Sequence, residues 1–280
     1  MTMGIEKKSI LITGCSSGIG YHAATHLHSQ GWQVFAGCRK KEDVKGLKKE
    51  GLNSVLIDYS DETSIEAGLN EVLETTEGRL DALFNNGAFA CPGAVEDIPR
   101  SALKAIMETN LLGYHDLTTR VIPIMRKQGF GRIINCSSVL GLVTLPWRGA
   151  YNASKFALEG LTHTLRIEMR DTPIEVILIE PGPITTKIRE NSLQYFETWI
   201  DWQSSARAKE YEIKLNKHLY SSYKKSLFEL PPSAVTDKLM KALEERKPRA
   251  CYFVTTPTYV MSIMKRILPI RALDWILSKC

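Results

Sequence analysis

Tyr151 and Lys155 lie four residues apart in Tyr151-Asn152-Ala153-Ser154-Lys155, within a stretch of helical spacing. Residues at i and i+4 share a helix face, so this spacing holds an ammonium beside a phenol. An unperturbed tyrosine titrates near pH ~10, and a neighbouring cation favours its phenolate. Such a pair exchanges a proton near neutral pH, which is what general acid–base chemistry needs. The Y-x-x-x-K pattern also arises by chance, and a solvated helix face is the competing reading. Ser138 stands thirteen residues before Tyr151, just past the apolar run Ile133-Ile134-Asn135-Cys136.

A second constellation sits near the start of the chain. The run Ile10-Leu11-Ile12 leads into Thr13-Gly14-Cys15-Ser16-Ser17-Gly18-Ile19-Gly20 and then into a helical segment. A buried strand, a glycine-rich turn and a helix N-terminus together make a phosphate cradle. The spacing Gly14, Gly18, Gly20 differs from the G-x-G-x-x-G fingerprint, and an ordinary tight turn is the plain alternative. The next apolar run ends Gly37-Cys38-Arg39-Lys40-Lys41. An acid at that place binds the ribose of NAD; here Cys38 and three bases suit a 2′-phosphate instead, with Arg39 as the clamp and NADP(H) as the cofactor. A solvated helix start, offset by Glu42 and Asp43, is the alternative. Asp58, after a third run, suits either the adenine amino group or a helix cap. Asn85-Asn86-Gly87-Ala88, after a fourth, suits close contact with a ribose or a plain turn.

These residues need a scaffold that brings strand ends together. Apolar β-rich runs fall at 10–13, 33–38, 55–57, 80–84, 132–136 and 174–179, with helical segments near 19–30, 40–50, 63–76, 101–127 and 152–171. That alternation predicts an α/β fold: a doubly wound parallel sheet with helices on both faces, binding its ligand at the carboxyl ends of the strands. The 280 residues contain no repeat or linker, so 1–280 is read as one domain. A net charge of +5 suits an anionic ligand but is too diffuse for nucleic acid. The six cysteines form no C-x-x-C pair, so neither a metal site nor a redox motif is expected. Reduced thiols and an N-terminus with no room for a signal peptide point to a cytoplasmic protein.

Taken together, residues 8–190 resemble the short-chain dehydrogenases/reductases in the order and approximate spacing of the glycine turn, Asn85-Asn86-Gly87, Asn110, Ser138, Tyr151, Lys155 and Pro181-Gly182-Pro183-Ile184-Thr185-Thr186. The whole chain is similar to a bacterial branch of NADP-dependent aldehyde reductases related to hydroxysteroid and retinol dehydrogenases. The resemblance implies a single-domain Rossmann fold that reduces an aldehyde or ketone with NADPH. Tyr151 would act as general acid, Lys155 would lower its pKa and bind the nicotinamide ribose, Ser138 would orient the carbonyl, and Asn110 would hold a proton-relaying water. Gly14, Ser16, Ser17, Gly18, Ile19, Gly20, Arg39, Asp58, Asn85, Gly87, Pro181, Ile184 and Thr186 would join Tyr151 and Lys155 around the cofactor. One departure is visible: the family pattern Asn-Asn-Ala-Gly is here Asn-Asn-Gly-Ala, which puts Ala88 in doubt if that position needs φ > 0. Two alternatives stay open: an alcohol dehydrogenase of steroid or retinol type working oxidatively, and a non-catalytic NADP(H)-binding sensor.

Residues 187–230, rich in Tyr195, Phe196, Trp199, Trp202, Tyr211, Tyr220, Tyr223 and Phe228, correspond to the family's substrate lid. With Trp147 they suggest a bulky hydrophobic carbonyl or alcohol as substrate, with Trp147, Tyr195 and Trp199 as candidate contacts. The segment 257–280 is basic, aromatic and amphipathic, and Pro269 interrupts it. It fits peripheral contact with an anionic membrane, or packing on the protein or on a second subunit, but not a membrane span. The family analogy also suggests a homo-oligomer, a dimer or tetramer.

Overall fold

The structure, a computed structural model, describes residues 7–220 and 227–279. Tyr223 and the last residue of the 257–280 segment lie outside the described residues. In β1 (Ser9–Thr13), Ile10 and Ile12 enter one apolar layer and Leu11 the opposite one, because successive side chains leave a strand on opposite faces. The same division runs through β2 (Gln33–Cys38), β4 (Ala82–Asn85), β5 (Gly131–Cys136) and β6 (Ile174–Glu180), whereas the edge strand β3 (Asn53–Leu56) gives Val55 to the second layer. Helices cover both faces, which is why these strands read as apolar runs and not as alternating patterns. A seventh strand, β7 (Cys251–Phe253), has only three residues and adds to the six expected.

All strands are parallel, in the order β3-β2-β1-β4-β5-β6-β7. The chain winds outward from β1 to one edge, then returns and winds from β4 to the other. The switch point therefore lies between β1 and β4, and the crevice beyond their carboxyl ends is where a ligand belongs. On one face pack α1 (Gly18–Ser29), α2 (Lys41–Lys49) and the later helix Ser233–Glu244; on the other pack α3 (Glu62–Thr75), α5 (Gly113–Gln128) and α6 (Gly149–Glu168). Each buried Leu, Ile or Phe in these layers contributes roughly 1.5–3 kcal/mol. The single helix expected over 101–127 is instead α4 (Arg100–Met107), a π-helical turn at Glu108–Leu112, and α5. The turn is centred on Asn110.

Beyond β6 come α7 (Ile188–Trp199), α8 (Ala208–Glu210) and α9 (Lys217–Tyr220). They form a third apolar cluster in which Phe196 and Tyr211 are fully buried beside Phe89, Ile106 and Ala150. Then follow α10 (Ser233–Glu244), β7, α11 (Thr256–Ile267) and α12 (Ile270–Leu277), with the helical break at Pro269. The tail packs on the body through buried Thr258 and Leu277, while Val260, Ile263, Ile267, Ile270 and Trp275 stay exposed. No helix among the described residues is long and apolar enough to cross a membrane.

Candidate active site

The loop after β1 sits at the switch point. Gly14 has φ +69°, and a Cβ there would stand 2.5 Å from the Cα of Gly87 on the neighbouring loop. Only glycine fits. Gly14, Ser16, Ser17, Gly18 and Ile19 line the cleft. Gly20 does not: it is buried behind the turn, where a Cβ would meet Asn86 Nδ2 at 2.8 Å, and its role is to let α1 pack against the turn. Ser17 caps α1 without a side-chain hydrogen bond, and the first turn carries no acid. Its N–H groups and the positive end of the helix are thus left to an external anion, which fits a pyrophosphate.

The loop after β4 departs from expectation by one residue. Asn85 is fully buried and faces away from the cleft, because side-chain direction reverses at each step along a strand. It belongs to a polar chain under the strand ends. Thr13 Oγ1 pairs with the Tyr59 hydroxyl (2.7 Å), which donates to Asn85 Oδ1 (2.6 Å); Asn85 Nδ2 donates to Asn135 Oδ1 (2.8 Å), and Asn135 Nδ2 to Thr162 Oγ1 (2.9 Å). Asn86 is the amide that reaches the loops: its Nδ2 donates to the Thr13 carbonyl (3.0 Å), and it lines the cleft with Gly87 and Ala88. Neither Gly87 nor Ala88 has positive φ, so the Gly-Ala order strains nothing at Ala88.

Ser138, Tyr151 and Lys155 meet in the same cleft, which has a volume of about 380 Å³. The Ser138 side chain lies beside the Tyr151 hydroxyl in the cleft, and Ser138 Oγ accepts from the Leu140 N–H (3.1 Å). Lys155 is buried; its Nζ donates to the Cys136 carbonyl (2.8 Å) and lies 5.2 and 5.7 Å from the ring centres of Tyr114 and Tyr151. Burial pushes the Lys155 ammonium down to about 8, against the opposing pull of Glu159 and the Cys136 side. Burial also pushes the Tyr151 phenol above its ordinary value, and only the nearby Ser138 hydroxyl opposes it. The expectation that Lys155 lowers the Tyr151 pKa is therefore not met in this structure. The ammonium lies against the ring, and burial sets the direction of the Tyr151 shift.

The Asn110 side chain is tied into the fold. Its amide closes a two-way bond with the Phe89 backbone (Nδ2 to O, 2.9 Å; Phe89 N to Oδ1, 3.1 Å) and donates to Ser154 Oγ (3.2 Å). The side chain fixes the Phe89 loop at the cleft wall. A π-turn at such a place is a common mark of a functional site.

A second cavity of about 360 Å³ continues from the glycine turn toward Cys38, Arg39, Lys40, Asp43 and Asp58; the two share Gly14, Ser16, Ser17, Gly87 and Lys187. Arg39 is exposed and Asp58 half-buried; Asp58 Oδ1 accepts from the Ser60 N–H (3.0 Å). Cys38 is buried, so at this strand end Arg39 is the side chain offered to solvent. Pro181, Ile184 and Thr186 line the Tyr151 half.

The three aromatic side chains expected at the substrate lie elsewhere. Tyr195 sits at the Arg39 end, where Arg39 Nη1 donates to its hydroxyl (3.3 Å), and it stacks on Trp199 (5.4 Å) and Phe89 (4.3 Å). Trp199 belongs to that stack and lines neither cavity. Trp147 packs edge-on against Tyr211 (4.8 Å), outside the catalytic cleft. Its φ of +64° is strained for a bulky residue, at a cost of about 1–3 kcal/mol. A hydrogen bond from Gly93 N to its carbonyl (3.1 Å) holds it there. What the sequence did not single out is its neighbour Arg148, which does line the cleft, with Phe89, Pro92, Leu140 and Ile188.

Residues 8–195 match the family model described as short chain dehydrogenase. The chain belongs to this family. It is 39% identical over 278 residues to the uncharacterized oxidoreductase YbbO of Escherichia coli (strain K12), covering 99% of this chain and 97% of that one. It is also 31% identical over 261 residues to human 17-beta-hydroxysteroid dehydrogenase type 1, covering 88% and 77% of the two chains. Among solved structures, a short chain dehydrogenase/reductase from Burkholderia phymatum in complex with NAD superposes with a TM-score of 0.76 at 24% identity, covering 97% and 95%. This family member is an oxidoreductase with a parallel seven-stranded Rossmann-like sheet.

Proposed function

We propose that this short-chain dehydrogenase reduces a hydrophobic aldehyde or ketone to its alcohol with NADPH. The observation that carries the reading is the convergence of Ser138, Tyr151 and buried Lys155 in one cleft that continues to the Gly14–Gly18 turn. When bound, the nicotinamide cofactor supplies the hydride. Everything else falls to the chain's own side chains. Ser138 orients the carbonyl oxygen toward the phenol. Tyr151 donates a proton to that oxygen, and its raised pKa keeps it protonated at neutral pH, the form an acid needs. Lys155 lies against the Tyr151 ring, and its lowered pKa lets it pass on a proton. Apolar Phe89, Pro92, Leu140 and Ile188 receive the substrate body and exclude water.

Arg39 supports NADP(H): it is the exposed cation at the end of β2, where a carboxylate would select NAD. Oxidation by the same residues runs these steps in reverse, with Tyr151 as the base. A homo-oligomer and a cytoplasmic, surface-associated enzyme complete the proposal. The exposed apolar row of α11 and α12, with Lys265, Arg266 and Arg271 alongside, suits an anionic lipid surface. The test is a screen of NADPH and NADH oxidation across chain-graded aldehydes, retinal and steroid ketones. Turnover rising with chain length and preferring NADPH is expected; no carbonyl turnover with either cofactor overturns the proposal.

A further inference from the structure

Arg148 is a cation in an unusual place. It occupies the N-cap of α6, a 20-residue helix whose positive end repels it, and no acid stands in that helix's first turn. Its hydrogen bond among the described residues runs from Nη1 to the carbonyl of adjacent Trp147 at 3.3 Å, and no carboxylate pairs with it. It is half-buried, and it faces the like charge of Arg189; burial and that repulsion both disfavour its ionised form. A half-buried guanidinium without an anion is costly in a folded protein, so its retention calls for a partner from outside.

The setting says where that partner would stand. Positions 148, 151 and 155 follow one another at i, i+3 and i+7, one face of α6, and all three line the cleft. The cleft wall holds four cations, Arg148, Lys155, Lys187 and Arg189, and no Asp or Glu. Lys187 also borders the Arg39 cavity, whereas Arg148 borders only the Tyr151 half. The chain spends strain to hold it there: Trp147 is kept at φ +64° by Gly93, and Gly93 bridges Arg148 in register. A planar fork so placed matches a carboxylate or phosphate bidentately.

We propose that Arg148 binds an anionic group on the substrate, so that the preferred carbonyl compound carries a carboxylate or phosphate a few bonds from its C=O. This rests on the carbonyl-reductase reading and narrows it: the substrate is amphiphilic, with its apolar body on Phe89, Pro92 and Leu140 and its anion at Arg148. Tyr151 and Ser138 stay with the oxygen that becomes the alcohol. The guanidinium acts by fixing that carbonyl in place, not by proton transfer.

The probes are 4-formylbenzoate, its methyl ester and formylphenyl phosphate, with wild type, Arg148→Met and Arg148→Lys compared by kcat/KM and by calorimetric titration of the protein. Wild type should favour the charged aldehydes over the ester by at least about 20-fold. Arg148→Met should remove that preference in both turnover and binding while changing the ester by less than about threefold; Arg148→Lys should keep part of it. Relative preference for carboxylate over phosphate tells which anion fits. Equal handling of ester and charged aldehydes by wild type overturns the inference, as does a preference that survives in Arg148→Met. If no aldehyde is turned over, the reductase reading fails, and the titrations alone decide whether Arg148 binds the anion. If Arg148→Met does not fold, Arg148→Lys and the wild-type ester comparison decide it.

Discussion

The glycine end of the cleft is shaped by main chain, the Tyr151 end by side chains. At the first, two loops touch through Gly14 and Gly87, the first turn of α1 is left uncapped, and Arg39 reaches in from β2. At the second, Ser138, Tyr151, Lys155 and Arg148 converge from one loop and one helix, and burial shifts the protonation of each ionisable group among them. The first end can bind a common ligand with little chemistry. The second end holds groups whose protonation equilibria burial moves away from their values in water. Perturbed groups of this kind mark chemistry more reliably than the fold does.

The contrast can be broken from either side. Gly14→Val should have the largest effect on the glycine end: a left-handed β-branched residue whose Cβ meets the Gly87 backbone should lose about 3–5 kcal/mol of stability, read from denaturant midpoints. A loss under about 1 kcal/mol would mean the loops can part. At the other end, Lys155→Met should stabilise the fold while removing turnover. Lysine's ordinary value of 10.5 falls to about 8 on burial, so the folded state carries a penalty of up to about 3 kcal/mol at pH 7. The unfolded chain binds more protons between those values, so the penalty shrinks as pH rises through 8 toward 10.5, and the gain from Lys155→Met should shrink with it. A gain that does not vary with pH contradicts the assignment.

Arg39→Asp should shift the ratio of kcat/KM for NADPH over NADH about 100-fold toward NADH, equivalent to about 2.7 kcal/mol, with the melting temperature unchanged. An unmoved ratio removes Arg39 as the clamp. The smallest effect belongs to the polar chain that ties the two ends together. Tyr59→Phe leaves Asn85 Oδ1 without its donor and should cost about 1–3 kcal/mol of stability, with kcat less affected than the KM for cofactor. A kcat loss exceeding the KM change would place Tyr59 closer to the chemistry than its position indicates.

Sequence spacing carried the parts of this site that depend on local geometry. Gly14 to Gly18, and Tyr151 with Lys155, are encoded by a turn and a helix period, and both were readable. So were six strands of the sheet, because strands buried on both faces are apolar throughout. Asn85 was misplaced because a one-residue difference at a strand end turns the side chain from the ligand into the core. Tyr195 and Trp199 were misplaced for a different reason: the path of 188–220 is set by where Phe196 and Tyr211 bury, which is tertiary packing with no local period. Arg148 was passed over although the signal existed, three residues before Tyr151 on the same face. The raised Tyr151 pKa was not legible at all, since it comes from burial that only the folded chain creates.

Tyr151→Phe tests the central claim most directly. The variant keeps the ring and loses only the hydroxyl, so NADPH affinity, measured by fluorescence titration, should stay within about threefold while kcat for aldehyde reduction falls by about 10³ or more. Near wild-type turnover in that variant, with cofactor binding intact, would contradict the account.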